Sequence, residues 1–480
     1  MGLRPLAEAV QFRVFALIPR TVNAGYYEAA ARLFVDRYDQ FVHPGQPMAT
    51  WEWIQSMPSR RRKVLVRAWR LYQERGHMHA QAEYIKPFVK TEHMPFFQQD
   101  AENCDFGVEG VTYLARLIQA PHDDTHLIAG RYLKPLVKRL KEIWSYENDI
   151  FYASASPDKL DAWLNRNAGA TSWFWADYSA FDATYSERTW AMVEGFYHMI
   201  YPDADQEFFD VLRIWRTVRG KQRLHHREEQ GASIAYSAPF VNASGRDDTA
   251  LANALVNGIV LAIAFACALS GKEPWDLTLA DLRDERYQIA VVGDDSLVAC
   301  HFDVDRYRAD IIRVVEGFGL VVKAGTSKEM VDVTFLGQMP YLAGGKFYWG
   351  PTLGRRLYKA FWQAEPLGNL PAWTLGVAKQ LDLYRHVPIL SDIARRVIEL
   401  LQGCKSTSVT ADENRPWTTR TEATPDYDST TLWWLAHRYR EYGLAPEAIA
   451  ADIQEIQGIS RLPAVIRLRT TDVALSVDDL

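Results

Sequence analysis

Four cysteines in 480 residues (Cys104, Cys267, Cys300 and Cys404) form no CxxC pair, and none has a histidine at zinc-ligand spacing. A disulfide framework and a zinc site are therefore not expected, and a reducing compartment fits. No secretory leader is expected at the N-terminus either, because Arg13 and Arg20 flank only a short apolar stretch. Met1-Gly2 opens the chain, but Leu6 stands where a myristoylation signal needs Ser or Thr. There is no internal repeat. Positive charge is not in excess either: 54 Lys and Arg face 60 Asp and Glu, a formal net charge of -6, which argues against a uniformly basic nucleic-acid binder. Only one uncharged run, Ala250 to Leu269, approaches the ~20 residues of a membrane span. Asn253 and Asn257 fall one helical turn apart inside it, and such amides are costly in lipid unless paired. A buried helix in a large core is the expectation, with no transmembrane segment.

What is present points to two or three lobes, since 480 residues exceed one small core. The 16 Trp and 23 Tyr fill those cores, with a few left to stack on bases. The basic residues are unevenly placed. Arg60 to Lys90 holds nine Lys or Arg against two Glu, and Arg213 to Arg227 holds six with no acid. Two such runs in an acidic chain suggest a local positive channel rather than two solvated faces.

Residues 1–80 read as mainly helical, and 81–135 as short extended pieces and turns before a helix at Tyr132–Tyr146. A strand is expected at Ser172–Ala176, and a helix capped by Ser186. Residues 213–243 read as loop-rich, and 250–269 as a helix. Gln288–Val292 and Ser296–Cys300 form a hairpin around Gly293-Asp294-Asp295. A helix at Val304–Gly317 precedes short strands near Thr334–Tyr341 and Lys346–Trp349. The remainder is mostly helical, apart from a loop at 405–430.

Three pieces carry the chemistry. Asp294 and Asp295 at a hairpin tip repel unless something neutralises them, and a hard divalent cation such as Mg²⁺ does so. Asp177 closes a strand, with Asp182 five residues on. Ser244-Gly245-Arg246-Asp247-Asp248-Thr249 precedes a helix on which Thr249 and Asn253 share a face. Taken singly, each is an ordinary turn, a pair of surface acids or a helix cap.

In this order, Asp-x4-Asp, Ser-Gly-x3-Thr-x3-Asn and Gly-Asp-Asp resemble motifs A, B and C of viral RNA-dependent RNA polymerases. Lys86-Pro87-Phe88-Val89-Lys90 and Ala115-Arg116-Leu117-Ile118-Gln119 look like motif F, with Ala115 where these relatives often have proline. Gly130-Arg131-Tyr132-Leu133-Lys134-Pro135-Leu136 is similar to the tombusvirus and nodavirus-like replicases of positive-strand RNA viruses. Phe335-Leu336-Gly337 resembles the motif E turn, and Lys323 lies where motif D has its lysine. The resemblance covers about residues 80–350.

It implies an α+β right-hand fold with fingers, a palm of antiparallel sheet backed by helices, and a mostly helical thumb. The segments would be 1–170 (N-terminal extension and fingers), 171–194 (palm), 195–240 (fingers insertion), 241–350 (palm) and 351–480 (thumb and tail). It implies RNA-templated nucleotidyl transfer with Asp177, Asp294 and Asp295 on Mg²⁺, or Mn²⁺ as a substitute, and Lys323 as general acid. Asp182, Ser244, Thr249 and Asn253 would meet the ribose, and Lys86, Lys90 and Arg116 the triphosphate. Arg213, Arg216, Arg219, Lys221 and Arg223 would contact RNA. The partners are template and nascent RNA, NTPs and other viral replicase proteins, in replication complexes of the host cytoplasm. Reverse transcriptases share this palm but usually place a bulky aromatic where Asp182 stands. A catalytically dead scaffold would have lost at least one of the carboxylates, and all are present.

Overall fold

The structure is a computed structural model. It describes residues 3–15, 22–38, 45–90, 116–153, 156–223, 232–361, 369–405, 420, 422–462 and 468–478. Most of the expected loop at 405–430, and Ala115, lie outside the described residues.

The fold is α+β and divides into two compact units. The first takes in Met1–Lys90, Glu109–Tyr152 and Phe174–Thr326, and the second Thr91–Val108, Ala153–Trp173 and Ser327–Leu480. Neither unit is a contiguous stretch of chain.

The first unit is organised on a five-stranded sheet. The strands are β3 (Ile150–Tyr152), β4 (Ser172–Tyr178), β7 (Tyr287–Val292), β8 (Asp295–Cys300) and β9 (Val322–Ser327), in the order β3-β7-β8-β4-β9. β7 and β8 are the expected antiparallel hairpin, and β3 joins β7 in parallel. Every residue of β7 and all of β8 after Asp295 are buried, as a strand covered on both faces requires.

The cover on the sheet includes the Thr249–Ser270 helix, which packs on β3, β7 and β8. It carries no charged residue and ends where Gly271 turns left-handed at φ 69. By length and composition it is the one helix among the described residues that could cross a membrane, and 94% of that window is buried inside the protein. Gly258 lets this helix lie close to Trp144, since a Cβ there would come within 2.8 Å of the ring.

Three expectations about elements are corrected. The helix expected at Tyr132–Tyr146 runs over Asp123–Ile143, because His122 caps it through Nδ1 and Asp123 and Asp124 occupy its first turn. The described residues of 213–243, which are 213–223 and 232–243, are not loop-rich. They complete a helix at Gln206–Trp215 and then form an antiparallel pair, β5 (Thr217–Arg223) with β6 (Ser233–Pro239). Arg219, Lys221 and Arg223 occupy one face of β5 and Val218 and Gly220 the other, so basic residues hid the period of two. Arg308–Gly317 is the helical part of the segment expected as helix from Val304, whose first residues form a 3₁₀ turn.

A second antiparallel pair, β1 (Lys86–Val89) with β2 (Leu117–Ala120), adjoins β5 through a bridge from Ile85 to Gly220. The Leu3–Val14 helix packs on this group, with Leu6, Ala9, Val10 and Val14 against Ile85, Leu117, Val218 and Ala238.

The second unit joins an antiparallel pair, β10 (Gln338–Ala343) and β11 (Lys346–Pro351), to helices including Pro157–Arg166, Leu370–Leu381, Leu390–Leu400 and Ser429–Arg438. β10 starts four residues later than expected because Leu336 and Gly337 both turn left-handed, at φ 57 and 69. Asp161 fastens the Pro157–Arg166 helix here. It accepts from Trp349 N at 2.8 Å and pairs with Arg420 at 2.8 Å.

Candidate active site

The site is built at one end of the inner strands β4, β7 and β8 of the five-stranded sheet. β4 alternates, with Ala176 and Tyr178 buried and Asp177 exposed. β8 lies beside β4, and Ser296 Oγ stands 3.5 Å from the Ala176 carbonyl. The β7–β8 turn, which carries Asp294, is thereby brought to the strand end that carries Asp177.

Val292 pairs with Asp295, so Gly293 and Asp294 form a two-residue turn. Gly293 takes φ 60, which suits the first position of such a turn. The Asp294 carboxyl is raised above the usual carboxylate range. Confinement by surrounding protein is the main cause, and the Asp177 charge adds to it, while Arg116 and Arg13 pull the other way. The tip of Asp294 is nevertheless exposed. The two carboxylates and the Arg116 guanidinium therefore sense one another.

After β4 the chain turns through Ala180, at φ 50, into a 3₁₀ turn at Phe181–Thr184 that returns Asp182 toward the Thr249–Ser270 helix. Asn253 Nδ2 donates to Asp182 Oδ1 at 2.9 Å. Asn253 Oδ1 accepts from the Tyr185 hydroxyl and from Asn242 Nδ2, each at 2.8 Å. The Asp182 carbonyl accepts from Asn242 N at 2.9 Å. Asp182 is pushed up to about 7, chiefly by burial, with Asp294 adding and the Asn253 hydrogen bond opposing. One turn further along the same helix, Asn257 Nδ2 lies 2.9 Å from the Asp294 carbonyl. Two asparagines on one helix thus reach the two acidic elements.

The loop entering this helix is held by a buried ion pair. Arg246 grips Asp248 through Nε at 3.0 Å and Nη2 at 2.7 Å. Its guanidinium lies between the rings of Trp190 and Trp215, 4.3 Å from each centroid. Asp248 also accepts from the Tyr197 hydroxyl at 3.0 Å. Arg246 and Asp248 are therefore internal to the fold, and Asp247 pairs with His126 at 2.7 Å.

No protein-family model matches this chain, and no curated protein matches it.

The other sequence-derived candidates divide. Arg116 and Lys90 meet across the β1–β2 pair, where Lys90 N donates to the Arg116 carbonyl at 2.8 Å, while Lys86 is exposed on β1. β2 touches the Ser244-Gly245 loop, since Gln119 N donates to the Ser244 carbonyl at 2.6 Å. Thr249 spends its hydroxyl inside that loop, on the Ala243 carbonyl at 2.9 Å and the Arg246 carbonyl at 3.3 Å. Lys323 is exposed on β9, the edge strand beside β4. Asp295 opens β8 and is exposed.

The second basic run is engaged with the fold. Arg213 pairs with Asp210 at 2.7 Å, Arg216 with the buried Glu194, and Arg219 with Glu83. Lys221 lies over the Tyr84 ring at 5.6 Å, and Arg223 is exposed.

Sequence reasoning did not place Arg13 or Asn257 at the site. Arg13 carries no local signal, as a basic residue near the end of a surface helix. Asn257 stood out only as an amide in an apolar run.

Among the described residues, no group of three or more His, Cys, Asp or Glu stands close enough together to hold a metal ion. The donors at this end of the sheet are hard carboxylate oxygens. They suit Mg²⁺, which is commonly held by one or two carboxylates together with substrate phosphates.

Proposed function

We propose that this chain is an RNA-dependent RNA polymerase that copies a viral RNA genome. The observation that carries the reading is the convergence of Asp177, Asp294 and the Asp182–Asn253 pair at one end of the sheet's inner strands from three separate parts of the sequence. On this reading the first unit contains the palm and the fingers, and the mostly helical second unit supplies the thumb. The turn at Leu336-Gly337 is then the motif E turn.

Asp177 and Asp294, with Asp295 beside them, would hold Mg²⁺, for which Mn²⁺ is a substitute. When bound there, divalent ions favour ionisation of the primer 3′-hydroxyl and offset charge on the triphosphate. The 3′-oxygen forms a bond to the α-phosphorus as the bond to the bridging oxygen of pyrophosphate breaks. Lys86, Lys90 and Arg116 offset phosphate charge during that exchange. Lys323 gives a proton to the departing pyrophosphate, and positioned acids of this kind contribute ~10²–10⁴-fold.

Asp182 and Asn253 accept and orient the ribose 2′-hydroxyl, the group that separates RNA from DNA. On this reading Ser244 joins the same hydrogen-bonding network. Thr249 acts through the loop it holds rather than on the ribose directly. The partners are template and nascent RNA, NTPs and other replicase proteins, in replication complexes of the host cytoplasm.

The test is nucleotide incorporation on a defined RNA template, with and without primer, comparing NTP with dNTP and Mg²⁺ with Mn²⁺. Wild-type protein should extend RNA with NTPs, and Asp177→Ala and Asp294→Ala should each abolish extension while melting as wild type does. Near wild-type turnover by either variant would overturn the mechanism.

A further inference from the structure

Asn257 is fully buried in the uncharged Thr249–Ser270 helix. An amide in such a place destabilises the fold unless its two ends are paired. Both ends are, and with elements of the candidate site. Oδ1 accepts from the Tyr178 hydroxyl at 2.9 Å. Nδ2 faces three successive carbonyls of the β7–β8 turn: Gly293 at 3.2 Å, Asp294 at 2.9 Å and Asp295 at 3.4 Å. Two amide hydrogens are thus shared among three acceptors, with the Asp294 carbonyl nearest.

Tyr178 follows Asp177 directly in β4 and is itself buried. A single side chain therefore ties the backbone that presents Asp294 to the residue beside Asp177. The need for a tie is physical. Two like charges at a hairpin tip repel, and a two-residue turn led by glycine resists bending weakly.

We propose that Asn257 is a positioning residue that fixes the Asp294 turn relative to Asp177 and thereby sets the affinity of the carboxylate pair for a divalent cation. The consequence for turnover rests on the polymerase reading, whereas the consequence for cation affinity rests on the carboxylates alone. Asn257→Leu keeps the number and branching of side-chain heavy atoms and removes every hydrogen bond. Asn257→Asp keeps the acceptor for Tyr178 and sets an oxygen against the three carbonyls. Tyr178→Phe removes one hydroxyl and leaves the amide held from the turn side alone.

Mn²⁺ binding to the full chain, without RNA or NTP, is measured by electron paramagnetic resonance, with Asp177→Ala identifying the site's share of the signal. Incorporation at saturating NTP is followed in parallel across a Mg²⁺ titration. Asn257→Leu and Asn257→Asp should weaken Mn²⁺ binding roughly tenfold or more. They should slow incorporation ~10²-fold, the effect of a misplacement of about 1 Å, with the KM for NTP changed much less. Tyr178→Phe should show the same pattern to a smaller degree while melting close to wild type, and excess cation should restore its rate.

Equal Mn²⁺ affinity in the wild type, Asn257→Leu and Tyr178→Phe would overturn the proposal, as would a wild type that binds no Mn²⁺ at this pair. Should Asn257→Leu fail to fold, the Tyr178→Phe titration decides. A wild type that binds Mn²⁺ with the expected variant pattern but incorporates no nucleotide would remove the polymerase reading and leave the positioning role standing.

Discussion

Asp182→Ala and Asn253→Ala cut opposite ends of one hydrogen bond, yet their effects on stability should differ sharply. Alanine at 253 removes the acceptor of two buried donors, the Tyr185 hydroxyl and Asn242 Nδ2, as well as the contact to Asp182. At about 1–3 kcal/mol for each buried hydrogen bond lost in this way, the loss is about 2–6 kcal/mol. Alanine at 182 strands one N–H and removes a carboxyl that burial holds at about 7. A carboxyl raised above its unfolded value of about 3.9 leaves the fold unaffected below pH ~4. It weakens the fold progressively as pH rises toward 7, and by a constant amount above that. Asp182→Ala should therefore gain stability relative to wild type between pH 4 and 7. Both variants should lose selectivity alike. A hydrogen bond to a charged group contributes about 1.5–3 kcal/mol, so the ratio of kcat/KM for NTP over dNTP should fall roughly 10- to 150-fold. Urea melts at pH 5 and pH 8, with kcat/KM for both substrates on one template, measure all of this. The reasoning is refuted if Asp182→Ala is as unstable as Asn253→Ala at both pH values, or if both proteins keep the wild-type ratio.

Further predictions concern other parts of the first unit. Arg246→Met should cost about 3–5 kcal/mol in denaturant melts by leaving Asp248 buried and unpaired, and Asp248→Leu in the same chain should restore most of it. A single-variant loss below about 1 kcal/mol would count against that account. Lys323→Arg should slow the chemical step in pre-steady-state incorporation with NTP affinity little changed, because arginine keeps the charge but donates a proton poorly. Lys328→Arg should do little, and normal rates in both would leave the site without this acid. RNA affinity should fall steeply with salt. On the Ser59–Arg75 helix, Arg61, Arg62 and Arg75 bond to Asp123, the Met57 carbonyl and Asp124, whereas Arg60, Lys63, Arg67 and Arg70 are exposed on one face. Replacing those four with glutamine should flatten the salt slope by up to roughly 3 units, at ~0.7 per phosphate. Arg216→Gln should instead lower stability, because it strands the buried Glu194.

What the sequence determined by itself was local. Gly293-Asp294 between two apolar runs dictates a hairpin, since glycine tolerates the left-handed turn and the flanking residues cover both faces. Ser186 marks a helix start, and in the structure it caps the Glu187–Ile200 helix, with Thr189 completing a capping box. The uncharged run after Thr249 reads as a buried helix, and its two asparagines announce that something polar must meet them. The order of acidic motifs was likewise readable, because it depends only on spacing.

Tertiary structure alone decided what those groups touch. Asn257 meets Tyr178 and Gly293, 79 and 36 residues away, and no periodicity connects such partners. The basic residues at 213–223 looked available in sequence, but Glu194 and Glu83 reach them only after folding. Arg13 and Arg116 come within electrostatic range of Asp294 only once the first helix packs on the β1–β2 pair. β5 was missed for the same reason. Its outward arginines and lysine mask the alternation, and the strand is stable because Ile85 and Tyr236 supply neighbours from elsewhere in the chain. Short-range patterns encode elements and caps. Ion pairing and carboxylate positioning depend on distances that exist only when the sheet and its covering helices are assembled.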